Sequence, residues 1–184
     1  MARTTIFNKD IILSKTKEFI KEYGIDKMNA RDLCKYIGCS TQPLFKNFIN
    51  MEEFKKELKI YLHKFYDLFI NKIVDKDDYL YTISYAYALF ASHEPNIFKA
   101  LFMSDLAGSR TIDEVLKSSW NLDTINSISK QYHLNKEQGR NLYRDVRFYT
   151  HGLSCQIAIN SIVVNDKEIE NLIRNIINNL VRVI

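Results

Sequence analysis

"NARDLCKYIGCSTQPLFKNF", Asn29 to Phe48, holds two short helical periodicities on either side of one glycine. Asn29 with Asp32 three positions on has the pattern of a capping box, and Asn caps a helix as well as Ser or Asp. Leu33, Tyr36 and Ile37 then recur at helical spacing, and Gly38 supplies a stop. A second short helix is predicted from Ser40. Its apolar side, Leu44, Phe45 and Phe48, is expected to pack inward, leaving Thr41, Gln42, Lys46 and Asn47 to solvent. Two short helices joined across a glycine make a helix-turn-helix, whose second helix can enter the major groove of DNA. Gln pairs with an adenine edge and Thr touches a thymine methyl. Lys46 and Asn47 can reach phosphates, which position a protein without reading sequence. Free backbone N–H groups after Asn29 suit a further phosphate. A short polar helix between two others is also often a plain surface turn, and periodicity alone leaves that alternative open.

The surrounding chain reads as helix throughout. Further capping boxes stand at Asn50-Glu53, Thr111-Glu114, Asn135-Gln138 and Asn165-Glu168. A first helix is predicted from about Asn8 to Tyr23, with Ile12, Thr16, Phe19, Ile20 and Tyr23 on one face and Gly24 as a left-handed stop. A long helix runs from Asn50 to about Val74. Tyr79–Ser92 forms an aromatic helix, and Pro95 suits the first turn of the next. A helical pair is expected over Ile112–Tyr132. Two long helices close the chain, about Lys136–Val163 and Asp166–Val183. No alternating strand pattern, internal repeat or low-complexity segment is present. The expected fold class is all-α.

Composition agrees. Only 5 Gly and 2 Pro stand in 184 residues that are 46% hydrophobic, which favours long helices over many turns. The net charge is +4, and its distribution is uneven. Residues 1–60 carry 12 Lys+Arg and 8 Asp+Glu, so the totals of 26 and 22 leave 14 of each for residues 61–184. A basic N-terminal module on a neutral body suits an anionic partner. Three cysteines, Cys34, Cys39 and Cys155, have no framework spacing and read as reduced thiols of a cytoplasmic protein. Met1–Asn8 lacks the apolar core of an export signal, and no stretch reaches the ~18 apolar residues of a membrane span. Catalytic patterns are absent: His63, His93, His133 and His151 fall into no metal spacing, "HEP" at His93 is not HExxH, and no phosphate loop or GxSxG occurs. No enzyme activity, metal or cofactor is expected.

"FIKEYGIDKMNARDLCKYIGCSTQPLFKNFINMEEFKKEL", Phe19–Leu58, resembles the N-terminal region of the TetR family of bacterial transcription regulators. Gly24, Asp32-Leu33-Cys34, Gly38-Cys39-Ser40, Leu44-Phe45 and Phe48 stand where that family has its helix end, its apolar pair, its Gly-Val-Ser turn and its Tyr-x-x-Phe. Asn50, Glu52 and Phe54 follow in register. The resemblance implies a three-helix DNA-binding domain at residues 1–50, with the helix-turn-helix at about 29–48, and a helical ligand-binding and dimerisation domain at residues 51–184. It implies a DNA-facing set of Asn29, Arg31, Ser40, Thr41, Gln42, Pro43, Phe45, Lys46, Asn47 and Lys55. It further implies a palindromic double-stranded operator, a homodimer, and a repressor released by a small-molecule effector. The family usually has a phosphate-bonding Tyr where Phe45 stands and a Lys where Met51 stands; Lys46 or Lys55 can supply charge instead. Those two departures motivate an alternative, a helical protein-binding module that has lost operator recognition.

Beyond Leu58 the likeness thins. "ALFASHEPNIFKALF" (Ala88–Phe102) and "YTHGLSCQIA" (Tyr149–Ala158) resemble segments of such regulators, the second without the Trp that often precedes the His-Gly pair. Leu142, Val146, Tyr149, Leu153 and Ile157 form one stripe near the C-terminus. Ile169, Leu172, Ile173, Ile176, Ile177, Leu180 and Val183 form another, wide enough for two copies to pair as a four-helix bundle. Gly152 is expected to allow a close helix contact, at about 1 kcal/mol of helix propensity against Ala. An effector pocket could be lined by the aromatics Phe65, Phe69, Tyr87, Phe90, Phe98, Phe102 and Tyr143, although core packing is the better account of each of them. Arg147 and His151, one turn apart, could anchor an anionic ligand, or His151 could be a satisfied interior histidine.

Overall fold

The computed structural model describes residues 7–184, apart from the side chain of Trp120. The reading of the chain's start as lacking an export signal therefore lies mostly outside the described residues. The described residues are all helix and connection: α1 Lys9–Tyr23, a 3-10 turn at Ile25–Lys27, α2 Ala30–Ile37, α3 Thr41–Asn47, α4 Met51–Ile70, α5 Tyr79–His93, α6 Pro95–Phe102, α7 Ile112–Leu116, α8 Ser119–Gln131, α9 Lys136–Ala158 and α10 Asp166–Arg182. The all-α class is as read. No described helix is long and apolar enough to cross a membrane.

The helix starts follow the capping chemistry. Thr111, Asn135 and Asn165 form complete capping boxes with Glu114, Gln138 and Glu168. The other two boxes take variant forms. Asn50 Oδ1 accepts from Glu53 N at 2.9 Å, but the Glu53 carboxylate reaches back to the Ile49 amide. Asn29 Oδ1 accepts from Arg31 N and Asp32 N, while its Nδ2 donates to the Asp32 carboxylate at 2.6 Å. Helix ends are less legible. α9 stops at Ala158 rather than near Val163, because Asn160 adopts φ +56° and the Ser161 amide bonds back to Gln156 O at 3.0 Å. That is the closing motif of Gly38, φ +83°, where Cys39 N donates to Cys34 O at 2.9 Å. An Asn in the left-handed position does there what Gly usually does.

The contacts form two compact units. Among the described residues, one comprises 7–66 together with Glu94–Ala107, and so extends past residue 50. α1 packs on α2 and α2 on α3, around Ile12, Ile20, Leu33, Leu44, Phe48, Phe54 and Leu58. The addition that the sequence does not announce is α6, which packs on α1. Glu94 pairs with Lys21 Nζ at 2.7 Å, and Asn96 Nδ2 donates to Lys21 O at 2.8 Å, both at the C-terminal end of α1. The other unit comprises residues 67–93 and 108–184. In it α9 packs on α5, α8 and α10 around Leu80, Leu89, Ile128, Leu142, Val146, Ile169 and Ile173.

The close-approach glycine is Gly139, not Gly152. A Cβ at Gly139 would sit 2.0 Å from Ser129 Oγ, where α9 meets α8, whereas a Cβ at Gly152 would meet nothing within 4 Å. Tyr149 leaves the expected stripe as well: it is exposed, and Tyr143 and Thr150 are buried in the unit instead. Gly24 is not the expected left-handed stop: at φ +81° and ψ 162° it occupies a region essentially restricted to glycine, while Gly38, at φ +83° and ψ 33°, is left-handed, where a side chain costs about 1–2 kcal/mol. Gly38→Ala should lower stability by about that amount in a urea titration, and Gly152→Ala should not lower it at all.

Candidate nucleic-acid interface

A seven-residue helix holds its shape only when something pins it. Leu44 and Phe48, four apart and 1% exposed each, pin α3 to the core of the first unit. Phe48 meets Phe54 edge-on with ring centroids 5.1 Å apart, and Lys9 Nζ lies 5.2 Å over the Phe48 ring. The turn before α3 is sealed by Cys34, which is buried. Burial, followed by its neighbour Cys39, pushes the Cys34 thiol up to about 11, so it acts as a small packing group rather than a nucleophile.

The inward placement of Phe45 is not what the structure holds. Phe45 is 46% exposed. It stands one residue, about 100° of helix, beyond Leu44, and only the Leu44–Phe48 row faces the core. Its ring therefore joins Thr41, Gln42 and Lys46 on the solvent side, all exposed. Ser40 is the N-cap residue but makes no side-chain capping bond. Pro43 falls in the first turn of α3, where its missing N–H costs no hydrogen bond. Arg31 on α2 and Lys55 on α4 are exposed.

Two expected phosphate contacts are otherwise engaged. Asn47 is half-buried, and its Nδ2 donates at 2.8 Å to both Pro43 O and Phe7 O. It ties the segment before α1 to the end of α3 instead of reaching outward. The amides of Arg31 and Asp32, read as open to a phosphate, already donate to Asn29 Oδ1. Asn47 was readable only as polar and near an exposed face; its clamp depends on a carbonyl forty residues away, which no local pattern reveals.

The proposed pocket residues divide between the units. In the first, Lys17 Nζ lies 4.7 Å over the Phe65 ring, and Phe98 meets Phe102 at 5.1 Å. In the second, Phe69 meets Phe90 at 5.3 Å, and the four remaining residues form two hydrogen-bonded pairs. Tyr87 OH is 2.9 Å from His151 Nδ1, and Cys155 Sγ is 3.5 Å from His151 Nε2. Tyr143 OH donates to Asn121 Oδ1 at 2.6 Å and accepts from Arg147 Nη1 at 3.5 Å. Burial pushes the Tyr87 hydroxyl far up. Burial first, then the Arg147 charge, pushes the His151 imidazole down. Sequence reading passed over Asn121, Thr150 and Ser154 here, since small polar side chains on a helix leave no periodic signal. Among the described residues, no three His, Cys, Asp or Glu come together as a metal site.

No family model matches the sequence, and no curated protein matches it. Among solved structures, the chain is similar to a single-substitution variant of TetR from Acinetobacter baumannii AYE in complex with minocycline. The identity is 14%, the TM-score is 0.56, and the match covers 95% of this chain and 94% of the other. The likeness extends over the whole length and both units, and it establishes the fold: this chain is folded as that TetR is.

His151 supplies a pH test. With its folded-state pKa lowered, the unfolded chain takes up the proton first as pH falls below about 6.5. Stability present at neutral pH is therefore lost with acidification, until the folded-state group titrates too. Solvent screens the half-exposed ring, so the loss stays below the about 1.4 kcal/mol per pH unit of one fully coupled proton. His151→Gln should flatten the slope of urea-measured stability in this range; superimposable slopes would show that His151 titrates alike in both states.

Proposed function

We propose that the chain is a sequence-specific DNA-binding transcription regulator, a repressor that binds a palindromic operator as a homodimer in the cytoplasm and is released by a small-molecule effector. One observation carries the reading: α3 is pinned by two buried residues and presents Thr41, Gln42, Phe45 and Lys46 together to solvent. Gln42 and Thr41 have the donors and acceptors to read base edges, and Phe45 offers an apolar face for a thymine methyl. Lys46, with Arg31 and Lys55, supplies phosphate contacts. The likeness in fold to a TetR solved in complex with minocycline supports the same reading, a small-molecule effector included.

One short helix reads few bases, so two copies on adjacent half-sites are needed. The second unit has a face for such pairing. Phe148, Tyr149 and Gly152 on α9 and Ile159 at its C-terminal cap lie within about 100° of arc, and all four are exposed. On α10, Leu172, Ile176 and Leu180 are only partly covered, and Val183 is 80% exposed. A glycine with open space over it, in the middle of such a patch, lets another backbone come close. An effector that prefers one spacing of the two reading helices moves the dimer between bound and free; one with equal affinity for both moves nothing.

Selection from random duplexes tests the reading first. The expected product is a palindrome with half-sites about one helical turn apart. A pool that stays random, with only weak salt-sensitive binding, would favour the protein-binding module. On the selected operator, Gln42→Ala should cost about 1–3 kcal/mol and relax one base position, while Lys46→Ala should weaken all DNA alike and reduce the salt slope by about one. Equal losses on operator and random DNA for Gln42→Ala would contradict its reading role. Gly152→Arg should convert the dimer to a monomer by light scattering and weaken operator binding; an intact dimer would place the pairing face elsewhere.

A further inference from the structure

The inward side of α9 carries a band of polar groups that packing does not explain. Tyr143, Arg147, Thr150, His151 and Ser154 fall within roughly 100° of one another around the helix axis. Thr150 is 3% exposed and Ser154 is fully buried, and neither hydroxyl has a hydrogen-bond partner among the described residues. Burying an unpaired hydroxyl costs about 1–3 kcal/mol, and Ala at either position would avoid it. Two such groups one turn apart, beside a half-buried guanidinium, indicate a place built to hold something.

The charge of that occupant follows from Arg147. Arg140, Arg144 and Arg174 each pair with a carboxylate. Arg147 does not: among the described residues its hydrogen bond is to the neutral Tyr143 hydroxyl. The nearest acid in sequence, Asp145, leaves α9 on the opposite side and pairs with Arg144 at 2.7 Å. The other members of the band are neutral near pH 7, since burial and Arg147 itself hold His151 unprotonated. One positive charge stands among hydroxyls. A guanidinium matches a carboxylate with two parallel hydrogen bonds, and a single cation balances a singly charged anion better than a phosphate dianion.

We propose that the Arg147 band of α9 binds a small organic carboxylate, whose head group pairs with the guanidinium and whose arrival supplies acceptors to the Thr150 and Ser154 hydroxyls. The proposal rests on the regulator reading only for its consequence, that this carboxylate is the effector.

Titration calorimetry on the full chain without DNA tests the binding itself, using butyrate, hexanoate, decanoate, benzoate and salicylate, each beside its primary amide. At least one carboxylate should bind and raise Tm while its amide does neither. Arg147→Met should weaken that binding about 10- to 100-fold, the loss of a hydrogen-bonded charge contact, and Arg147→Lys should recover part of it. Equal Tm values for both unliganded variants and the unliganded wild type would establish that the loss is one of recognition and not of folding. The proposal fails if no carboxylate exceeds its amide, if inorganic phosphate alone binds, or if Arg147→Met binds as the wild type does. The two readings fail separately. Carboxylate binding by a chain that selects no operator sinks the regulator alone; operator binding by a chain indifferent to every carboxylate sinks this proposal alone.

Discussion

Burial of Leu44 and Phe48 is the interaction on which the short helix α3 depends. A helix of seven residues is far below the length at which helices persist in water by themselves. α3 forms because these two side chains, one turn apart, are held against Phe54, Leu33 and the start of α1. Everything that α3 presents to solvent follows from that row. With residues 44 and 48 inward, residues 41, 42, 45 and 46 turn outward, and Asn47 falls at the margin, where it clamps the chain before α1.

A different constraint shapes the second unit. α9 has two faces with opposite tasks. One holds Tyr143, Arg147 and His151 inside, in contact with the Tyr87 hydroxyl from α5 and with Asn121 on α8. The other exposes Phe148, Tyr149 and Ile159. Buried polar groups of this kind are stabilising only while each is satisfied. Among the described residues, the orphaned hydroxyls at Thr150 and Ser154 mark where they are not.

Features that depend on neighbours in sequence were legible before the structure. Capping residues sit within three positions of the amides they serve, so all five helix starts could be placed, as could Gly38 and Pro95. Stripes were legible in outline, and Ile169, Ile173 and Ile177 on α10 are buried as their spacing suggests. The misses have other causes. Phe45 is apolar and sits beside a stripe, so hydrophobicity alone counted it in, and a turn of about 100° per residue carries it out; Tyr149 lies at the margin of its stripe, and Val183 lies past the end of α10 at Arg182. Asn160 ends α9 by a conformation that Asn adopts in few contexts. The bonds from Asn47 to Phe7 and from Asn96 to Lys21 join residues far apart in the chain, and no local pattern encodes them.

The docking of α6 on α1 bears on how the protein comes into being. All of the helix-turn-helix lies within the first fifty residues, yet its unit is completed by Glu94–Ala107. A growing chain therefore carries α2 and α3 well before it can form the Lys21–Glu94 pair or bury Ile97 and Phe98. Until residue 107 has left the ribosome, the C-terminal end of α1 stands uncovered, and α5 of the other unit is synthesised in the interval. Domains generally fold as units in the order of synthesis; here the first unit is interrupted, so it must wait for a segment made after part of the second.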